Sequence, residues 1–261
     1  IISKEIRDEL KNEISNLKKN NIIPGLGVIL VGDDAASCSY VTAKERACKS
    51  IGIYSDDNRY QESISEDQLL EKIDDMNKDS KIHGILVQLP LPKHINSSKV
   101  LLSINPSKDV DGFHPMNVGK MMIGEKSFLP CTPHGILQML KRSNININGA
   151  NIVVIGRSNI VGKPVANMLI QKNLGGNATV TLCHTGTKNI AKHTIDADIV
   201  IVASGCPNTL TCEMVKPDAV VIDVGVNRIS DTQNKLGYRL VGDTDFNELS
   251  KKVSAITPVP G

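Results

Sequence analysis

Apolar residues fall into two patterns along this chain. In the first, Ile6, Leu10, Ile14 and Leu17 recur at helical spacing among charged residues, which predicts an amphipathic helix over 3–20. Pro24-Gly25 ends it, and Leu26 to Val31 then forms an apolar run closed by Gly32-Asp33-Asp34, the form of a buried strand followed by a turn. A second helix is expected over 36–50; it carries Tyr40 and Lys44, four apart and therefore on one face. Ser65 with Gln68 has the form of a capping box ahead of Leu69, Leu70 and Ile73, a third helix. Residues 82–89 read as the next strand, running into Pro90-Leu91-Pro92. Residues 105–112 read as a polar loop, and a Pro/Gly/Met-rich connector leads on to Pro130.

In the second pattern, short Val/Ile runs alternate with helical segments. Thr132-Pro133 has the form of an N-cap with Pro at the first helical position. Strands are expected at 152–155, 179–183, 199–203 and 220–224, with helices over 163–172 and near 187–192. Continuous β-branched runs between helices predict a parallel sheet covered on both faces. The expected architecture is α/β: two α/β domains flanking a cleft, the second a Rossmann-like dinucleotide-binding domain. The boundary is placed at 131/132, giving a first domain over 1–131 completed by 245–261 and a second over 132–244.

Composition narrows the function classes. With 30 Lys+Arg against 28 Asp+Glu the chain has no basic excess for nucleic-acid binding. Aromatics are only 3%, with no Trp, which argues against base-stacking platforms. The six cysteines are scattered without a C-x-x-C pair, the usage of a reducing compartment, so the default expectation is cytoplasmic, or organellar if a presequence was removed. No Cys/His pairing has metal-ligand spacing, so no metal is expected. No apolar stretch approaches the roughly 18 residues that a membrane span needs.

The run Val153-Val154-Ile155-Gly156-Arg157-Ser158-Asn159-Ile160-Val161-Gly162-Lys163-Pro164 is the sequence form of a strand, a tight turn and a helix N-terminus. Free backbone N–H groups and the helix dipole favour a phosphate there, and Gly156 and Gly162 are expected to flank it. An NAD site would carry Asp or Glu after the next strand, about 20 residues on. That place reads Leu182-Cys183-His184-Thr185-Gly186-Thr187-Lys188, with no carboxylate. Thr185, Lys188, Arg157 and Ser158 instead suit a 2′-phosphate, so NADP is favoured over NAD. Two further strand ends, Ala203-Ser204-Gly205 and Asp223-Val224-Gly225-Val226-Asn227, are expected to border the dinucleotide, although their glycines also suit ordinary turns.

Three segments of the first domain carry polar residues suited to chemistry: Tyr40-Val41-Thr42-Ala43-Lys44, Val87-Gln88-Leu89-Pro90-Leu91-Pro92 and Lys108-Asp109-Val110-Asp111-Gly112. Singly, each has an ordinary explanation, as a surface lysine, a strand-end cap or a turn former. Together with Pro130-Cys131-Thr132-Pro133, the Gly156 turn, Val221-Ile222-Asp223-Val224-Gly225 and Thr257-Pro258-Val259-Pro260-Gly261, they resemble one family over essentially the whole chain. The chain is identified as a member of the bifunctional methylenetetrahydrofolate dehydrogenase/methenyltetrahydrofolate cyclohydrolase family.

The resemblance implies an enzyme of one-carbon metabolism, tetrahydrofolate interconversion and purine biosynthesis. Such an enzyme oxidises 5,10-methylenetetrahydrofolate with NADP and hydrolyses the product to 10-formyltetrahydrofolate. It implies Lys44 as the catalytic lysine, Tyr40 as its stacking and positioning partner, Gln88 as the lysine's hydrogen-bonding neighbour and Asp111 as the carboxylate holding the pterin. Val87, Leu89, Pro260 and Gly261 would join them at the folate. Thr132, Gly156, Arg157, Ser158, Ile160, Val161, Gly162, Thr185, Ala203, Gly205 and Val226 would hold the cofactor, and the family suggests a homodimer. A monofunctional or NAD-dependent dehydrogenase and a non-catalytic folate- or nucleotide-binding module are the alternatives. Three departures stand out: Ala35 where the family has proline, Cys38 where a longer polar residue is common, and a longer stretch at 173–177 beside the adenosine end. The family also continues past Gly261, so a longer native chain is expected.

Overall fold

The fold is described from a computed structural model, for residues 1–172, 175–233 and 237–260. It divides into two compact units, Ile1–Leu129 and Pro130–Gly261.

In the first unit the chain runs α1 (Ile2–Lys19), β1 (Gly25–Val31), α2 (Ala35–Ile51), β2 (Tyr54–Tyr60), α3 (Glu66–Lys78), β3 (Gly84–Val87), α4 (Ser97–Ser103) and α5 (Pro115–Ile123). Three parallel strands form a sheet in the order β2-β1-β3. Alternate residues of β1 serve opposite faces, as the two-residue period of a strand requires. Ile29 and Val31 pack with Leu69, Ile73 and Met76 of α3 and with Val100 beyond them. Val28 and Leu30 pack with Val41 of α2 and Leu86 of β3. α2 starts at Asp34, whose side chain accepts from the Ser37 amide (2.8 Å), and stops at Gly52, in the left-handed conformation. The capping box at Ser65 and Gln68 is formed.

Three elements of this unit depart from the sequence reading. β2, Tyr-Ser-Asp-Asp-Asn-Arg-Tyr, has no apolar alternation because it is a half-exposed sheet edge. α4 falls in a stretch where the sequence pattern predicts no element, and α5 replaces part of the expected connector. Their signals are local: Asn96 accepts from the Ser98 and Lys99 amides, and Pro115 follows His114, whose Nδ1 accepts from the Met116 amide (3.1 Å).

The second unit runs α6 (Cys131–Arg142), β4 (Asn151–Ile155), α7 (Gly162–Ile170), β5 (Thr179–Cys183), α8 (Ala191–Thr194), β6 (Ile199–Val202), β7 (Val220–Asp223), β8 (Asn227–Ser230), β9 (Tyr238–Val241), α9 (Phe246–Leu249) and β10 (Ala255–Ile256). Five parallel strands form a sheet in the order β10-β7-β6-β4-β5. Val153 and Ile155 pack with Val200, Val202, Leu210, Val215 and Leu249 on one face. Ile152 and Val154 alternate to the other face and are fully buried.

The stretch 245–261, expected to complete the first unit, lies in the second. β10 pairs with β7 and the Thr257 amide donates to Val221 O, so its hydrogen bonds are spent on this sheet. α6 starts at Cys131 with Pro130 at the cap position and no side-chain cap, so Thr132 lies inside the first turn rather than capping it. The β8–β9 hairpin is a further departure from the sequence reading. Asn173, Leu174 and Gly261 lie outside the described residues.

Candidate functional site

In the first unit, α2 and the end of β3 bring two of the expected residues into contact. Burial of Val41 and Cys48 fixes which side of α2 faces inward, leaving Tyr40 exposed and Lys44 half-buried. Lys44 Nζ donates to Gln88 Oε1 at 3.0 Å, across 44 residues of sequence. Gln88 is itself held: its amide donates to Ile29 O (2.9 Å) and its Nε2 to Leu89 O (2.8 Å). The lysine therefore meets a neutral oxygen whose orientation is set by a second bond. No ion pair to Lys44 occurs among the described residues.

Val87 is a buried strand residue, while Leu89 is half-buried and shows its carbonyl to Gln88. Asp111 follows a segment that docks on β3: Asp109 bridges Ile85 in parallel, and the Ile85 amide donates to Lys108 O (2.7 Å). Gln88 and Asp111 thus leave neighbouring stretches running the same way. The two aspartates of Asp-Val-Asp-Gly differ. Asp109 is buried and its Oδ2 accepts from the His114 amide (2.8 Å) and Asn117 Nδ2 (2.9 Å), which fixes the loop leading to α5. Asp111 is half-buried. Pro260 is exposed in the second unit, and Gly261 lies outside the described residues.

In the second unit, strand order reverses between β4 and β6, because β5 lies on one side of β4 and β6 on the other. The Gly156 turn and Ala203–Gly205 leave the carboxyl ends of those two strands, where open α/β sheets bind ligands. The structure changes the reason for the two glycines. A Cβ at Gly156, where φ is 123°, would strike the Ala203 carbonyl, and one at Gly162 would strike the Gly156 carbonyl. Both identities serve close backbone packing. The amides of Val161 and Gly162, at the start of α7, donate to Ser158 Oγ at 3.1 and 3.3 Å. The backbone N–H groups of Arg157, Ser158, Asn159 and Ile160 find no acceptor among the described residues, and all four residues are exposed. A phosphate fits those orphaned donors better than the helix start itself.

The turn after β5 also suits an anion. Cys183 is buried at the end of β5; burial pushes its thiol up, only partly countered by Thr187, so it carries no charge at neutral pH. Thr185 and Lys188 are exposed beyond it, in a turn where Thr187 Oγ1 accepts from the His184 amide (3.0 Å). Thr132 is exposed on α6 and Val226 on the segment between β7 and β8.

Two buried carboxylates are absent from the sequence reading as site residues. Asp223 ends β7 and Asp243 follows β9, and both are gripped by loop amides. The available signal was a charge placed directly after the Val220-Val221-Ile222 run, where only paired polar groups are tolerated. Among the described residues no group of three or more His, Cys, Asp or Glu could hold a metal ion, and no helix is long and apolar enough to cross a membrane.

A doubly wound parallel sheet with phosphate-ready amides at its switch point defines a Rossmann-like dinucleotide-binding protein, here joined to a unit carrying a lysine–glutamine pair. The models of two family domains match the chain: the tetrahydrofolate dehydrogenase/cyclohydrolase catalytic domain over residues 1–111 and its NAD(P)-binding domain over residues 130–261. The chain belongs to this tetrahydrofolate dehydrogenase/cyclohydrolase family. It is 57% identical to the bifunctional protein FolD of Syntrophus aciditrophicus over 260 residues, covering 100% of this chain and 88% of that relative. Among solved structures, the bifunctional FolD dehydrogenase/cyclohydrolase of Campylobacter jejuni superposes with a TM-score of 0.92 at 49% identity, covering 99% of this chain and 89% of that one. The Trypanosoma brucei methylenetetrahydrofolate dehydrogenase-cyclohydrolase, complexed with NADP cofactor and inhibitor, matches with a TM-score of 0.92 at 36% identity, covering 100% of this chain and 88% of that one.

Proposed function

We propose that the protein oxidises 5,10-methylenetetrahydrofolate to 5,10-methenyltetrahydrofolate with NADP and then hydrolyses the methenyl product to 10-formyltetrahydrofolate, within one-carbon metabolism. The observation that carries this reading is the bond from Lys44 Nζ to Gln88 Oε1 (3.0 Å). Hydrolysis needs a water to attack the one-carbon bridge and protons to move as the ring opens, and an amine able to give up and regain a proton serves both needs. A glutamine acceptor orients that amine without fixing it in the charged form, as a carboxylate would. Asp111 offers two oxygens to the adjacent amino and ring N–H donors of a pterin. Tyr40, 55% exposed on the same helix face as Lys44, offers a ring for stacking.

NADP, when bound, accepts the hydride through its nicotinamide. The orphaned amides of 157–160 suit the phosphates of either dinucleotide, while the exposed Arg157, Thr185 and Lys188 and the strand end without a carboxylate at 183–188 support NADP rather than NAD. The reading includes a homodimer, which sedimentation tests, and a cytoplasmic setting, which the scattered free cysteines support.

The test is a spectroscopic assay of both steps with NADP and NAD side by side, on the wild type and on Lys44→Met. Wild type should form methenyltetrahydrofolate faster with NADP, and the variant should lose hydrolysis by roughly 10²-fold or more, the usual weight of a general acid–base group. No methenyl product with either dinucleotide defeats the reading.

A further inference from the structure

Asp243 is fully buried and faces no cation among the described residues; its carboxylate is solvated by neutral donors. Oδ2 accepts from the Ser204 amide (2.7 Å), the Ser204 hydroxyl (3.0 Å) and the Gly205 amide (2.8 Å). Oδ1 accepts from Asn227 Nδ2 (2.8 Å), which also donates to Gly242 O (3.1 Å). The Asp243 main-chain carbonyl takes the Thr209 amide (2.7 Å), so the exposed loop 204–209 is held at both ends by one residue.

A second carboxylate locks the first in place. Asp223 Oδ1 accepts from the amides of Gly225 (3.1 Å) and Asp243 (2.9 Å), and its Oδ2 accepts from the Thr244 amide (2.9 Å) and hydroxyl (2.7 Å). The arrangement is reciprocal: a Cβ at Gly225 would strike the Asp243 carboxylate, and one at Gly242 would strike that of Asp223.

Placing a carboxylate here costs several kcal/mol of desolvation unless every lone pair is satisfied. Its donors all come from two strand-end segments: Ser204 and Gly205 after β6, beside the Gly156 turn, and Asn227 next to exposed Val226. We propose that Asp243, through Asn227 and the Ser204–Gly205 amides, is the positioning residue that holds these two segments in the geometry the dinucleotide meets. It works from behind the loops and does not touch the ligand. The inference rests on the NADP-dependent reading above.

The test uses the full chain, with NADPH fluorescence to give Kd and methenyltetrahydrofolate hydrolysis followed separately. Asp243→Asn replaces one acceptor oxygen by an NH₂ group, which meets a donor whichever way the new amide lies. Turning that group towards Asn227 is the cheaper choice, and forces Asn227 to release Gly242 O. Asn227→Ala removes the same arm from a half-buried side chain, so it keeps the proposal testable should Asp243→Asn fail to fold. Both variants are expected to weaken NADPH binding roughly tenfold, about 1.4 kcal/mol, and to raise KM for NADP, with hydrolysis unchanged. A folded Asn227→Ala protein that binds NADPH like the wild type overturns the proposal, as does a parallel fall of binding and hydrolysis in both variants, the mark of a merely structural role. Wild-type protein that binds NADPH without oxidising methylenetetrahydrofolate defeats the proposed function, and the Kd comparison still decides the clamp. Wild-type protein that binds no dinucleotide overturns both.

Discussion

Gln88→Glu isolates what the lysine's neighbour does, because it changes charge with almost no change of shape. Lys44 Nζ lies 3.0 Å from Gln88 Oε1, so the variant places a carboxylate oxygen where a neutral one stood. Two unit charges at that separation attract by about 5 kcal/mol at an effective dielectric of about 20. Both side chains are half-buried, and water and salt cut the interaction to roughly 1–3 kcal/mol. At about 1.4 kcal/mol per pH unit, the rise of methenyltetrahydrofolate hydrolysis with pH should move up by roughly 1–2 units. At neutral pH this is a loss of about 10–100-fold that recovers in alkaline buffer. The variant also sets an oxygen against Leu89 O, which Gln88 Nε2 reaches at 2.8 Å, so some stability is lost, and Tm must be followed separately. Gln88→Ala is the control: it loses orientation and rate without displacing the profile. Hydrolysis is assayed by supplying methenyltetrahydrofolate directly and recording the fall of its absorbance across pH. A Gln88→Glu profile superimposable on the wild type refutes the argument that a neutral acceptor matters.

Two predictions concern the frame. Asp109→Ala strips the acceptor from the His114 amide and Asn117 Nδ2, at a cost of about 2–4 kcal/mol; thermal melting should show a clear fall in Tm with a raised KM for the folate, and an unchanged Tm would refute it. The Lys216 ammonium and the Asn151 amide hold the Asp198 carboxyl below its ordinary range. Its stabilisation is therefore present above the unfolded value, about 3.9, and lost as pH falls through the lower folded one. Because the pair is only half-buried and reached by solvent, Asp198→Asn should cost less than about 1 kcal/mol at pH 7, and its melting curve should converge on the wild type in acid; a gap that widens on acidification contradicts this.

Sequence patterns revealed the amphipathic helices and the strands that carry apolar runs, the edge strand β5 among them, and missed the strands without such a run. β4, β6 and β7 carry continuous Val/Ile runs because helices or loops cover both sides of the sheet, and such runs are visible without knowing any partner. β2 and β9 lie at edges or in a two-stranded ribbon, so their composition answers to solvent. β10 has two residues, too short for any period, and its membership in the second sheet is fixed by pairing with β7. At the candidate site, spacing alone linked Tyr40 to Lys44 on one helix face. The Lys44–Gln88 contact spans 44 residues and became visible only through family resemblance. Asp243 lies 39 residues from Ser204 and carries no local signal, so only the folded chain exposes its role.

The Gly156 turn shows why a glycine motif is weak evidence for a nucleotide by itself. Gly156 and Gly162 are glycines because carbonyls of the protein's own backbone occupy the space a Cβ would need. That requirement holds for any tight strand–turn–helix connection, with or without a ligand. What distinguishes this turn lies between the glycines. Ser158 turns its hydroxyl back on the Val161 and Gly162 amides and satisfies the helix start. The N–H groups of 157–160 are left without an acceptor among the described residues, in four exposed residues that include Arg157. A cap that closes the helix end while leaving the preceding amides open makes the loop, rather than the helix axis, the better place for an anion. The proposed preference for NADP therefore rests on the exposed side chains of this loop, Arg157 first among them, rather than on the glycines that frame it.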